Sequence, residues 1–273
     1  GVSSWQSNET IGNICEHRIV MGTMDGRIIV VDARNGKPCE DFGNNGQVDL
    51  KDGLGQVSAG EYSVTSPPAI IGNKVIVGAF VLDRTHNNMP SGVVRAYDVV
   101  TGELLWYWNA IPPGTKTTFD DQVNPLYIRG TPNVWSIISV DKERNLIFLP
   151  TGNTSTDFFG GSRENLDFFS SSVVALNATN GELVWHYQMV HHDIWDFDTP
   201  AQPTLFNFER DGEIIPALAQ PTKMGLLFLL NRETGIPLFP VEERPVPQIG
   251  FVDGEYLSPT QPFPTIPEPL HPL

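Results

Sequence analysis

Four stretches of the chain repeat one local pattern: VVDARNGKPCE (Val30–Glu40), AYDVVTGELLW (Ala96–Trp106), ALNATNGELVW (Ala175–Trp185) and LLNRETGIPLF (Leu229–Phe239). Each reads as a strand ending in Asp or Asn, a turn closed by Gly, and a returning strand. The acidic or amide side chain can bond the turn backbone, and Gly adopts positive φ without a Cβ penalty. The turn glycines Gly36, Gly102, Gly181 and Gly235 lie 66, 79 and 54 residues apart, so a constant unit carries insertions of variable length. Such a unit cannot bury both of its faces alone, and stacking against neighbours supplies a continuous core. In two copies a Trp follows the Gly by four residues (Trp106, Trp185), well placed to pack between neighbouring sheets. Phe239 takes that place in the last copy.

The segments with clear periodicity are short, β-branched and bounded by Gly, Asn, Asp or Pro: His17–Gly22, Arg27–Asp32, Lys74–Phe80, Gly92–Asp98, Leu146–Pro150, Ser172–Asn177 and Leu226–Asn231. No long 3.6-residue period is present. The fold class expected is all-β. Four-stranded sheets repeated radially make a β-propeller, and four recurrences amount to about half of an eight-bladed ring. The whole of 1–273 then reads as one partial propeller, with blade repeats near 17–43, 69–108, 136–188 and 202–240. A Pro-rich connector follows over 237–273, holding ten of the 23 prolines, which excludes helix and central strand. Long loops between blades, on a rigid scaffold, are where function is expected.

A formal charge of −15 repels nucleic acid and anionic membrane surfaces. No apolar run reaches the roughly 18 residues of a spanning helix. The opening GVSSWQSNET lacks an initiator Met, a basic region and an apolar core, which suggests a mature protein or an excised fragment. The two cysteines, Cys15 and Cys39, can either pair across neighbouring strands in an oxidising compartment or remain two buried thiols.

The stretch VHHDIWDFDTPAQPTL (Val190–Leu205) concentrates His191, His192, Asp193, Asp196 and Asp198, although the chain has only six histidines. No cysteine or third nearby histidine completes a zinc site. With the DxxTGExxW turn and the later PTKMGLLFLLNRETG, this stretch resembles the quinoprotein alcohol dehydrogenases, which bind pyrroloquinoline quinone. It is most similar to their membrane-bound glucose/quinate/shikimate branch. The likeness spans essentially the whole chain, with no counterpart here for the family's anchor and opening blades or for its closing blades.

The resemblance implies an eight-bladed propeller and the following roles. Asp196, after Trp in WD, is catalytic, serving both as base and as metal ligand. Asn153, in PTGN, and Asp83, after the VIVG strand, are further metal ligands, although Arg84 follows Asp83 where the glucose-oxidising relatives often carry Asn. Trp135 covers one face of the quinone, and Lys223 hydrogen-bonds its oxygens. Two carboxylates and an amide oxygen are hard ligands suited to calcium or magnesium. The bound ion polarises the quinone carbonyl and keeps Asp196 ionised to take a hydroxyl proton while hydride moves to the quinone.

His191, His192 and Asp193 are expected either to orient the reactive carboxylate or to face the substrate, with Asp193 and Asp198 supporting the loop. The loop from Asp157 to Phe169 is expected near a polar, hydroxylated substrate. The family further implies ubiquinone as electron acceptor and a location on the periplasmic face of a bacterial inner membrane. Exposed sheet edges invite self-association as a homodimer, and an isolated half-ring is expected to bind the quinone weakly or not at all. The competing function is a non-catalytic propeller serving as a binding or assembly scaffold. The joint presence of Asn153, Asp196 and Lys223 argues against it.

Overall fold

The structure, a computed structural model, describes residues 1–7, 12, 14–116, 118–119 and 125–271. Pro272 and Leu273, the end of the expected connector, lie outside them. Four antiparallel sheets follow one another along the chain. The first holds Val2–Gln6, His17–Gly22, Arg27–Asp32 and Gln47–Asp49. The second holds Ala69–Ile71, Lys74–Val77, Val94–Asp98 and Leu104–Trp108. Ser139–Asp141, Leu146–Pro150, Ser172–Asn177 and Leu183–Gln188 make the third. Thr204–Arg210, Glu213–Pro221 and Leu227–Asn231 make the fourth. Among the described residues the helical content is one 3₁₀ turn, Leu166–Phe169.

The leading strands of successive sheets neighbour one another: Val2–Gln6 lies by Ala69–Ile71, which lies by Ser139–Asp141, which lies by Thr204–Arg210. The sheets therefore stack face to face, and three apolar layers fill the gaps. Val20, Ile28 and Val30 meet Val75, Val77 and Tyr97 between the first pair. Ile76, Val94 and Ala96 meet Ile147, Leu149, Val174 and Leu176 between the second pair. Phe148, Val173 and Ala175 meet Leu218, Phe228 and Leu230 between the third pair. Side chains of a strand alternate between faces. Ile147 and Leu149 thus serve one layer while Leu146 and Phe148 serve the next, and this is why the strands read as continuous apolar runs.

The recurrent turn also couples sheets. Trp106 Nε1 donates to the carbonyl of Ala178 at 3.2 Å, and Trp185 Nε1 to that of Arg232 at 2.9 Å. Each indole lies against the turn glycine of the following sheet, Gly181 or Gly235.

The run Lys74–Phe80 ends as a ladder strand at Val77. Phe80–Val81 turns away to pair with Tyr62–Ser63. The break is at Gly78, which is pressed against the carbonyl of Val134 where a Cβ has no room. The Pro-rich tail is not a bare connector: Val241–Pro245 and Thr260–Pro264 pair antiparallel, leaving 246–259 as a long loop. Cys15 and Cys39 are disulfide-bonded, resolving the open alternative in favour of the pair. No helix among the described residues is long and apolar enough to cross a membrane.

Candidate active site

Loops of the second and third sheets and a turn of the fourth bring the candidate residues to one end of the stack. Asp83 follows the short strand Phe80–Val81, and Trp135 precedes Ser139–Asp141. Asn153 sits just beyond Leu146–Pro150. Asp196 and Asp198 lie on the connection between Leu183–Gln188 and Thr204–Arg210. Lys223 occupies the turn before Leu227–Asn231, which is closed by the Thr222 N–H to Leu226 carbonyl bond at 2.9 Å.

Lys223 is the hub. Its Nζ donates to the Asp196 carbonyl at 2.8 Å and lies 3.3 Å from Asp196 Oδ2, and it also pairs with Asp198 Oδ1. Trp135 Nε1 donates to Asp198 Oδ2 at 2.6 Å, so one carboxylate bridges the indole and the ammonium. Arg84 reaches Asp196 Oδ2 at 3.9 Å, while its backbone N–H donates to Asp157 Oδ2 at 2.8 Å.

Negative charge is crowded here. Burial, and then the charges of Asp157, Asp196 and Asp198, push the Asp83 carboxyl up to about 6. Burial also raises Asp157, with Asp196 adding to the effect, and it raises Asp198 against the pull of Lys223. Burial works against the Lys223 ammonium, yet its bond to Asp198 and the neighbouring carboxylates outweigh that and raise it. Four carboxylates crowd one ammonium, while the Arg84 guanidinium is exposed and Arg163 is engaged by backbone carbonyls, so a divalent cation would relieve the charge. The donors are hard oxygens, as calcium or magnesium requires.

An indole lies beside the ammonium: Asp198 accepts from Trp135 and pairs with Lys223. Gly152 lacks a side chain where a Cβ would meet Asn133 Oδ1 and approach the Trp135 ring, and Asn133 Oδ1 is buried without a hydrogen-bond partner. In chemical kind, hard oxygens suit a divalent metal, and an indole beside an ammonium suits a planar anionic quinone.

Asp196 adopts φ of 57° and His192 φ of 45°, so the 192–196 turn departs from extended backbone twice in five residues. Asp193 holds it: its carboxylate accepts Ser171 Oγ at 2.7 Å, Trp195 N–H at 2.9 Å and Phe197 N–H. The Asp193 carbonyl accepts Asn153 Nδ2 at 2.9 Å and Arg163 at 2.7 Å. Asn153 Nδ2 also reaches the Asp157 carbonyl at 3.0 Å, and its Oδ1 accepts the Thr154 N–H at 2.8 Å. The amide therefore joins the Asp157 and Asp193 loops.

The histidines turn away from the acidic hub. His191 Nδ1 meets Gln188 Oε1 at 2.9 Å and its Nε2 meets Glu243 Oε1 at 3.1 Å. His192 sits between Asp167 Oδ2 at 2.7 Å and Glu255 Oε1 at 2.9 Å, and stacks on Tyr256. Neither ring bonds Asp193 or Asp196. His192 instead borders an apolar cavity of about 330 Å³ with Ile194, Trp195, Phe197 and Ile249.

Sequence reasoning did not single out Asp157, Arg163, Asp167 or Glu255 as site residues. Asp157 and Asp167 lie within the loop expected near substrate. Glu255 sits in the Pro-rich tail, where no pattern marked it.

The profile of the family described as "PQQ: Glucose/ethanol/alcohol dehydrogenase, beta-propeller domain" matches residues 1–272. The chain is 42% identical over 268 residues to the glycerol dehydrogenase large subunit of Gluconobacter oxydans, covering 97% of this chain and 36% of that protein. It is 41% identical to the quinoprotein glucose dehydrogenase of Escherichia coli, with 91% of this chain and 31% of that protein covered. It is 42% identical to the quinate/shikimate dehydrogenase (quinone) of Acinetobacter baylyi, again over 91% and 31%. Among solved structures, the quinohemoprotein alcohol dehydrogenase ADHIIG of Pseudomonas putida aligns with a TM-score of 0.64 and 27% identity, over 82% of this chain and 33% of that one. The chain spans about a third of the length of these curated relatives. It belongs to the PQQ-dependent glucose/ethanol/alcohol dehydrogenase β-propeller family.

Proposed function

We propose that the protein to which these residues belong oxidises an alcohol group of a polyol, sugar or cyclic hydroxy acid, with Asp196 as general base. The observation that carries this reading is the crowding of Asp83 and Asp157 beside Asp196 and Asp198, the two carboxylates that pair with Lys223. Glycerol, glucose and quinate or shikimate, named for relatives, define the substrate classes to try first.

Asp83, Asn153 and Asp196 would hold the calcium or magnesium ion, and Trp135 and Lys223 would hold pyrroloquinoline quinone. When bound, the metal-polarised quinone supplies a hydride acceptor. The chain's own residues do the rest. Asp196 Oδ2 accepts the hydroxyl proton. Lys223, anchored on the Asp196 carbonyl, fixes the turn and offers a cation to the quinone oxygens. Asp198, bonded to Trp135 and Lys223, holds indole and ammonium in fixed relation. Asp193 sets the turn that aims Asp196.

In the intact protein, ubiquinone would accept the electrons, and the site would face the periplasm at the inner membrane. A homodimer through exposed strand edges is part of the same reading. The test is reconstitution of the intact protein with calcium and the quinone, followed by dye reduction with a panel of polyols, sugars and hydroxy acids. A fall in turnover of about 10²–10⁴-fold in Asp196→Asn supports the assignment. Absence of both quinone absorbance and dye reduction with every alcohol would point to a non-catalytic scaffold.

A further inference from the structure

His192 takes no part in the acidic hub, yet it is the junction of three segments. One ring nitrogen meets Asp167 on the 3₁₀ turn Leu166–Phe169, the other meets Glu255 in the tail loop, and the ring face stacks on Tyr256 at 3.6 Å. The tail loop lies down on the loop 157–169 with no room between them. Gly160 N–H donates to Glu255 Oε2 at 2.5 Å, and a Cβ on Gly160 would enter the His192 ring. A Cβ on Gly161 would strike the Gly254 carbonyl. His192 is also the first left-handed residue of the turn that ends at Asp196. Its neighbour Asp193 bonds the Trp195 and Phe197 N–H groups and receives Asn153 and Arg163 on its carbonyl.

We propose that His192 is a positioning residue for Asp196: clamped between Asp167 and Glu255, its ring fixes the start of the 192–196 turn and pins the tail loop 250–257 across loop 157–169. The clamp acts through backbone, because a ring held at both nitrogens and on one face cannot rotate, and the left-handed conformation at His192 has then no extended alternative. Arg163 is the cation facing this assembly, and it donates to the carbonyls of Thr156, Asp157 and Asp193 rather than to the clamp carboxylates. The inference deepens the proposed reaction and rests on that reading of Asp196.

The experiment uses the intact protein and its His192→Asn and Glu255→Gln variants. Hydrogen–deuterium exchange is read without cofactor, and kcat and KM with it. Faster exchange at the Trp195 and Phe197 amides, unchanged exchange in Ser172–Asn177, and a kcat loss of about 10–100-fold with KM little altered are expected for His192→Asn. Glu255→Gln, which keeps the imidazole in place, is expected to give a smaller change of the same kind. Exchange that rises only in 250–257, with 193–198 and kcat unaffected, overturns the proposal. If the unaltered protein oxidises no alcohol, the reaction falls, and exchange at Trp195 and Phe197 still decides whether His192 holds the turn.

Discussion

Trp185 and Gly235 meet across two sheets with no space for a side chain between them. The indole N–H donates to the Arg232 carbonyl at 2.9 Å, and a Cβ on Gly235 would lie 2.6 Å from the ring. Trp106 and Gly181 repeat the contact one sheet earlier. Gly235→Ala therefore combines left-handed strain with overpacking and should cost about 2–4 kcal/mol. Gly36 has the same positive φ, 70° against 72°, and open space where a Cβ would sit. Gly36→Ala should then cost only about 1–2 kcal/mol of backbone strain. Urea denaturation of both variants separates the terms; equal losses would show that the Trp contact contributes nothing.

Asp196→Asn removes the proposed base and keeps the bonds around the turn. Turnover should fall by about 10²–10⁴-fold, while bound quinone absorbance remains. Steady-state kinetics with the best alcohol of the panel checks it, and near-normal kcat would move the base elsewhere.

Lys223→Gln deprives Asp198 and Asp196 of their ammonium. Charged hydrogen bonds contribute about 1.5–3 kcal/mol, so quinone affinity should fall by about 10–100-fold. Titration of apo protein followed by tryptophan fluorescence measures it. Unaltered affinity would remove Lys223 from the cofactor site.

The His192 clamp should be pH-sensitive in two directions. Burial works against the His192 cation, but the bonds to Asp167 and Glu255 raise it above 6.5. That contribution is complete below 6.5 and fades as pH rises through the raised value. Burial raises Asp167 and Glu255, but His192 wins and holds them below 3.8 and 4.5. Their contributions are complete above those values and fade as pH falls through the lowered ones. Protection of the 250–257 amides should therefore be greatest between 4.5 and 6.5, from the ordinary value of Glu255 to that of His192. After correction for intrinsic exchange, a flat profile from pH 5 to 9 would contradict the clamp.

Cys15 and Cys39 close a loop over 24 positions at the edge of the first sheet. Chain-entropy reasoning gives about 3 kcal/mol for a loop of that size. The Cys15→Ala, Cys39→Ala double variant should lose about that much in urea denaturation, and reductant should destabilise only the parent protein.

Much of this molecule was legible one-dimensionally. The Asp/Asn…Gly turns, the β-branched runs and Trp106 and Trp185 are local or periodic features, so an all-β stack of sheets joined by indoles could be read directly. Where the reading slipped, a distant contact was responsible. Gly78 breaks its strand because Val134 presses on it. The proline-rich tail pairs with itself because Val241–Pro245 meets Thr260–Pro264 edge to edge.

The motif around Asp196 identified the acidic loop, and the resemblance supplied Asp83, Asn153, Trp135 and Lys223. What the motif could not supply was partnership. Asp198 reads as loop support, yet it bridges Trp135 and Lys223. His192 reads as a neighbour of Asp193, yet it answers to Asp167 and Glu255. The order of residues determined strand, turn and the chemical kinds of side chain, because those depend on neighbours a few positions away. Only tertiary structure decided which charges share a solvent-poor space, because Coulomb energy and desolvation depend on distance through space and not along the chain.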